Sequence, residues 1–279
     1  MRDLHDFSLT VVGAIAGSRP LLVAIVGLLT LLRSSAIEAA EWKAGVAKAV
    51  ITPATPVWLA GYGSKRVPDG KLHELWMKAL ALEDAEGRRA VLLTSDFQGM
   101  PKSFSDRVFD QLRRKLSLER QQVMLSFSHN HCGPRLGDDL VDYYPVEAEQ
   151  VALVDAYTAT MEQRTVAVIA EALERLAPAR LQTGTGRATF AVNRRNNRES
   201  EVPHMLSKGL PLAGPVDHAV PVMTVTRPDG HPLAILFGYA CHPTTLSFTT
   251  WCGDYPGFAQ VELEANHAGS TAMFVNTCG

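Results

Sequence analysis

From Ala44 onward, short apolar runs closed by Pro, Gly or Asp alternate with stretches of helical period. Ala44 to Thr52 predicts a strand stopped by Pro53, and Leu59-Ala60-Gly61-Tyr62-Gly63 a glycine-punctuated loop. Leu75 to Glu83 and Ala90 to Thr94 predict a hairpin turned at Asp84-Ala85-Glu86-Gly87. Phe104, Val108, Leu112 and Leu116 recur at helical period, which predicts a helix from Ser103 to Leu116 with Ser103 as N-cap. Gln122 to Phe127 is the next strand. Arg135 to Pro145 is polar and irregular. A long helix from about Glu147 to Leu176 follows, its stripe Val154, Tyr157, Met161, Val168, Ala172 and Leu176 read as core packing.

Leu181 to Val192 is strand-like, and Asn193 to Gly214 reads as a long loop, a length that is uncommon without a function or disorder. Ala219 to Thr226 and Pro232 to Ala240 predict a second hairpin around Arg227-Pro228-Asp229-Gly230. A helix over Tyr255 to His267 and a buried strand over Thr271 to Val275 complete the pattern. Strand, helix, strand in the central part points to an α/β fold: a mixed β-sheet core with flanking helices. No internal repeat is visible.

The N-terminus follows another rule. Pro20 to Leu32 is a short apolar core, with Arg19 before it and Ser34-Ser35-Ala36 and Ala39-Ala40 after it. That is the layout of an export signal, and residues 1–40 are expected to be a signal peptide or an uncleaved membrane anchor. Residues 41–279 then form the folded domain, in a periplasmic, cell-surface or secreted setting. The 279 residues are 46% apolar with a net charge of −2, so no basic footprint indicates a nucleic-acid partner. Four cysteines in a chain this long are not a disulfide scaffold, although export would permit a Cys241–Cys252 bridge.

The stretch Ser128-His129-Asn130-His131-Cys132-Gly133-Pro134 closes the strand that ends at Phe127. If the extended form continues, His129 and His131 point to one face, which suits a divalent transition metal. His242 has a similar setting: an apolar strand delivers it, and Pro243 favours an extended conformation there. The three imidazoles could form one site, or one of the pair could handle protons while the other ligates. A catalytic zinc takes three or four ligands with a position left open, acidifies water and polarises a carbonyl. Asp254, before a helix, could hydrogen-bond a ligating imidazole or cap the helix, and Asp96 carries the same ambiguity. Arg194, at the entrance of the long loop, could meet a carboxylate or developing oxyanion, or be a solvated loop arginine beside Arg195 and Arg198. His5, His73, His204, His218, His231 and His267 have no partner spacing. Cys132 fits a nucleophile less well than the His-x-His spacing fits a metal. There is no Gly-x-Ser-x-Gly elbow and no phosphate-binding glycine loop.

Taken in order, these motifs resemble the N-terminal domain of the neutral/alkaline (non-lysosomal) ceramidases. The resemblance is carried by Gly45 to Thr52, Gly61-Tyr62, Ser95-Asp96 with Gly99-Met100, His129 to Pro134, Asn193-Arg194, Pro215-Val216-Asp217, His242-Pro243, and Gly253-Asp254 with Gly257. It implies hydrolysis of the amide bond of N-acylsphingosine with one zinc ion. It also implies His129 and His242 as zinc ligands, with His131 and Arg194 facing substrate. The expected partner is a lipid amide or another amide, reached through contact with a membrane surface. Asn130 and Cys132 stand where the family usually has Thr and Ser. The family's remaining ligands, a Glu and a Tyr, follow the strand that ends here at Asn276-Thr277-Cys278-Gly279. The fold is therefore expected to be incomplete at its C-terminal end, and the chain by itself to hydrolyse little amide. An amidohydrolase barrel ranks below this reading, because several strands precede the His pair and eight strand–helix repeats are lacking. A degenerate, non-enzymatic domain is the third reading.

Overall fold

The structure, a computed structural model, describes residues 42–279, so the apolar stretch at Pro20 to Leu32 lies outside the described residues. In chain order the larger elements are β1 (Trp42–Val50), β2 (Gly70–Lys71), β3 (Trp76–Glu83), β4 (Arg89–Ser95), α1 (Lys102–Leu116), β5 (Val123–Phe127), α2 (Ala148–Glu174), β6 (Ala177–Arg187), α3 (Val202–Ser207), β7 (Ala219–Thr226), β8 (Pro232–Tyr239), β9 (Thr250–Trp251), α4 (Asp254–Asn266) and β10 (Thr271–Asn276). One mixed eight-stranded sheet runs β10-β8-β7-β6-β1-β3-β4-β5, and β2 pairs with β9 in a separate two-stranded ribbon. The pairs β4–β5 and β8–β10 are parallel and the other pairs of the large sheet antiparallel.

β3 explains the unbroken apolar run in the sequence, because both of its faces are covered. Met77, Ala79 and Ala81 pack with Phe104, Val108 and Leu112 of α1 and with Met161, Ile169 and Ala172 of α2. Leu80 points the other way and packs with Ala179 of β6, Val225 of β7, Ala234 of β8 and Met273 of β10. These two clusters require a curled sheet. Its five steps from β3 to β10 would span about 24 Å if flat. Yet Lys78 of β3 donates from Nζ to the Ala272 carbonyl of β10 at 2.8 Å, to Gln260 at 3.0 Å and to Glu264 at 2.8 Å, both in α4. Among the described residues no helix is long and apolar enough to cross a membrane.

The α/β class and the larger elements agree with the sequence reading, and several boundaries differ for identifiable reasons. β6 ends at Arg187 rather than Val192. The next residues leave the ladder to pack on aromatic rings: Phe190 lies 4.7 Å from the Tyr239 ring, and the Ala191 N–H donates to the Tyr239 hydroxyl at 3.1 Å. Asn193 to Gly214 is not all loop, since it holds a 3₁₀ turn (Glu199–Glu201) and α3. Ser103 is not an N-cap. Pro101 occupies that position, and the Ser103 hydroxyl is buried without a protein partner. β2 and β9 are two residues each, too short to leave a periodic signature.

Candidate metal centre

The parallel pairing of β4 and β5 continues past both strands and shapes the turn that carries the first two imidazoles. Ser128 N–H donates to the Ser95 carbonyl at 2.8 Å and His129 N–H to the Phe97 carbonyl at 3.0 Å. His129 does not stay extended: its φ of +61° is left-handed, an uncommon conformation for a residue with a side chain. The alternation expected for a strand is therefore not what brings His129 and His131 together. The turn does so, locked by Asn130, whose amide donates to the Asp96 carbonyl at 2.6 Å and accepts the Cys132 N–H at 2.8 Å.

His242 arrives from the end of β8, and the three rings close into a near-equilateral triangle. Ring centroids are 5.2 Å apart for His129–His131, 4.7 Å for His129–His242 and 5.3 Å for His131–His242. One nitrogen from each ring lies within 4.8 Å of the others. His129 Nδ1 donates to the Gln98 carbonyl at 2.6 Å, so in the neutral ring Nε2 is the lone-pair nitrogen, and it is turned to the cluster, 3.5 Å from His131 Nε2. This is the usual way a ligating imidazole is oriented and its tautomer fixed. Two nitrogens on a tetrahedral zinc, at about 2.0–2.1 Å each, lie about 3.4 Å apart. The donor set and spacing thus fit a zinc-like ion, and among the described residues no carboxylate or thiol joins the triad.

Electrostatics favour the neutral, ligand-ready form. His131 is pushed down to about 3, first by burial, then by the neighbouring His129, His242, Arg66 and Arg194. His242 is pushed down by burial and then by His129 and Arg194. His131 Nδ1 is buried without a protein partner, and the ring is packed between Gly61 and Tyr62, whose ring centroid is 4.7 Å away. Arg66 fastens this corner. Its guanidinium donates to the carbonyls of His131 at 2.6 Å, Ala60 at 3.2 Å and Phe248 at 2.5 Å.

The other sequence-marked residues take definite places. Arg194 lines a cavity of about 1020 Å³ together with His242, Phe190, Val216 and Thr245. Its side chain is half exposed, with Glu199 3.8 Å away. Asp254 lies on no imidazole and is not the cap, a position taken by Gly253. Fully buried and at φ +52°, it accepts from Thr245 Oγ1 at 2.6 Å and from the Leu246 N–H at 2.8 Å, so it holds the loop that follows His242. Asp96 is also structural: it accepts the Trp76 N–H at 2.8 Å, and burial pushes its carboxyl up. Gln98 and Arg66 were not marked by the sequence. Both act through backbone contacts that leave no local pattern.

All four cysteines are free thiols. The Cys241–Cys252 bridge that export would permit is not formed; the Cys252 N–H instead donates to the Cys132 carbonyl at 3.2 Å. Cys241 Sγ makes only a long 3.9 Å contact to the His242 carbonyl.

Comparison with known proteins identifies the fold. The family model "neutral/alkaline non-lysosomal ceramidase, N-terminal" matches residues 42–277. A solved structure described as a ceramidase complexed with C2 superposes with a TM-score of 0.69 at 25% identity, covering 85% of this chain. The neutral ceramidase of Pseudomonas aeruginosa gives 0.68 at 24% identity, again over 85% of this chain. The chain spans 38% of the length of each of these structures. No curated protein sequence matches.

Proposed function

Since the chain belongs to the neutral/alkaline non-lysosomal ceramidase family, we propose that its imidazole cluster holds, through His129 and His242, the zinc of an amide-hydrolysing site for lipid amides of the N-acylsphingosine type. The observation that carries this reading is the convergence of His129, His131 and His242, one nitrogen each within 4.8 Å, beside a cavity of about 1020 Å³. A bound zinc ion supplies Lewis-acid polarisation of the amide carbonyl and acidifies water.

The protein's own groups divide the remaining work. His129, oriented by the Gln98 carbonyl, and His242, at the end of β8, hold the ion. His131 presents Nε2 to the cluster, 3.5 Å from His129 Nε2, and is the candidate proton partner. Arg194 on the cavity wall is suited to a developing oxyanion or to the carboxylate of the released acid. Phe190 and Val216 give the same cavity apolar surface for a hydrocarbon chain. Export through the apolar stretch at Pro20 to Leu32, and substrate drawn from a membrane surface, belong to the same reading.

The test is metal content after zinc loading and dialysis. About one ion per chain is expected in the wild type, with most of it lost in His129→Ala and in His242→Ala. Equal zinc in the three proteins would remove both residues as ligands and overturn the proposal.

A further inference from the structure

We propose that Cys132 and Cys252 form a disulfide that ties the imidazole-bearing turn to the segment in front of α4. Both residues are fully buried, at 0% exposure. Their backbones already lie side by side: the Cys252 N–H donates to the Cys132 carbonyl at 3.2 Å. That backbone bond brings the two residues close together, as the roughly 4.4–6.8 Å α-carbon window of natural disulfides requires of a pair to be bridged. The segments are also fixed from their other sides. The Trp251 carbonyl accepts the Leu72 N–H at 3.0 Å, and the Cys132 N–H is held by Asn130 at 2.8 Å.

The triad contains no thiol, so neither sulfur is committed to it; the Cys132 thiol donates to the carbonyls of Phe248 at 3.5 Å and Leu246 at 3.7 Å, weak hydrogen bonds that oxidation would give up. The step needs a disulfide donor of the glutathione or dithiol-oxidase class. One cysteine thiolate attacks the donor's disulfide and releases a donor thiolate; the second cysteine thiolate attacks the mixed disulfide and releases the other. Two protein thiols lose two protons and two electrons, and the donor is reduced to two thiols. The product would link the turn of His129 and His131 to the residue two before Asp254, which braces the loop of His242.

The experiment uses the full chain, refolded in a glutathione buffer, quenched in acid, denatured, alkylated with a maleimide and mapped by mass spectrometry. The expected result is one cross-linked peptide pair containing Cys132 and Cys252, with maleimide on Cys241 and Cys278 only. A Cys241→Ala/Cys278→Ala variant is expected to take up no maleimide until reduced, and reduction is expected to lower Tm by about 5–10 °C. Maleimide on both Cys132 and Cys252 of the oxidised, folded protein would overturn the proposal. So would a cross-link from either of them to Cys241 or Cys278. Because the mapping is done on the wild type, it does not depend on whether a Cys132→Ser variant folds.

Discussion

The α-carbon of Gly61 lies against the His131 imidazole: a β-carbon there would sit 2.3 Å from ring Cγ and Nδ1. The backbone at Gly61 is at φ +102°, a region that side chains avoid. Both facts make the position specific for glycine. Gly61→Ala is expected to cost about 2–4 kcal/mol of stability and to displace the ring. Urea unfolding and zinc titration check this. A variant with wild-type stability and zinc affinity would show that the ring is not confined by this contact.

Arg66 serves three carbonyls on three different segments, and its guanidinium stacks over the Tyr62 ring at 4.7 Å. Arg66→Ala leaves those acceptors without a partner and is expected to destabilise by about 2–3 kcal/mol. Arg66→Lys should recover only part of this, because a point charge cannot reproduce the planar fork. Denaturation midpoints of the two variants test the order; equal midpoints for Lys and wild type would contradict it.

Asp254 positions His242 without touching it. Asp254→Ala removes the acceptor that fixes Thr245 and Leu246, so the loop after His242 gains freedom. Zinc affinity is expected to fall about tenfold, as when a supporting group behind a ligand is lost. Competition with a chromophoric chelator measures this. Unchanged affinity would mean that β8 and Pro243 alone place the imidazole.

The depressed His131 predicts how stability of the metal-free protein follows pH. An unfolded chain takes up this proton near pH 6.5, whereas the folded chain does so only near pH 3. Between those values the unfolded state binds more protons, so stability is full above about pH 6.5 and falls as pH drops. Asp96, raised by burial, works in the opposite direction, so the total slope is not diagnostic. The comparison that isolates His131 is wild type against His131→Gln at pH 7.5 and pH 5.5. The wild type should lose more stability than the variant between the two, and an equal loss would show that His131 charges freely in the folded state.

The fold was legible where one rule dominates. The stripe of α2, the hairpin β3–β4 and the strand-then-Pro setting of His242 depend on local period and turn chemistry, and the structure keeps them. The convergence of three imidazoles was legible as one of several arrangements, because His-x-His and His-Pro each follow an apolar strand. The reason they meet was not. The left-handed turn at His129 is held by carbonyls of Ser95 and Phe97, partners far away in sequence. Asp254 looked like a cap because of its place before a helix, but its carboxylate is committed to residues eight and nine positions earlier. Phe190 to Val192 read as strand because aromatic packing and ladder pairing both favour apolar residues.

The curl of the sheet has a consequence for assembly. His129 follows β5, the strand at one margin, and His242 follows β8, next to the opposite margin. Their rings meet only when the two margins have swung together. Occupancy of the site is then a gauge of closure: an ion gripped by His129 and His242 draws free energy from the finished domain and returns it as resistance to opening, in proportion to the logarithm of its concentration over its dissociation constant. A chain frayed at either margin would lose one of the two ligating imidazoles, and would release its ion before it lost its helices.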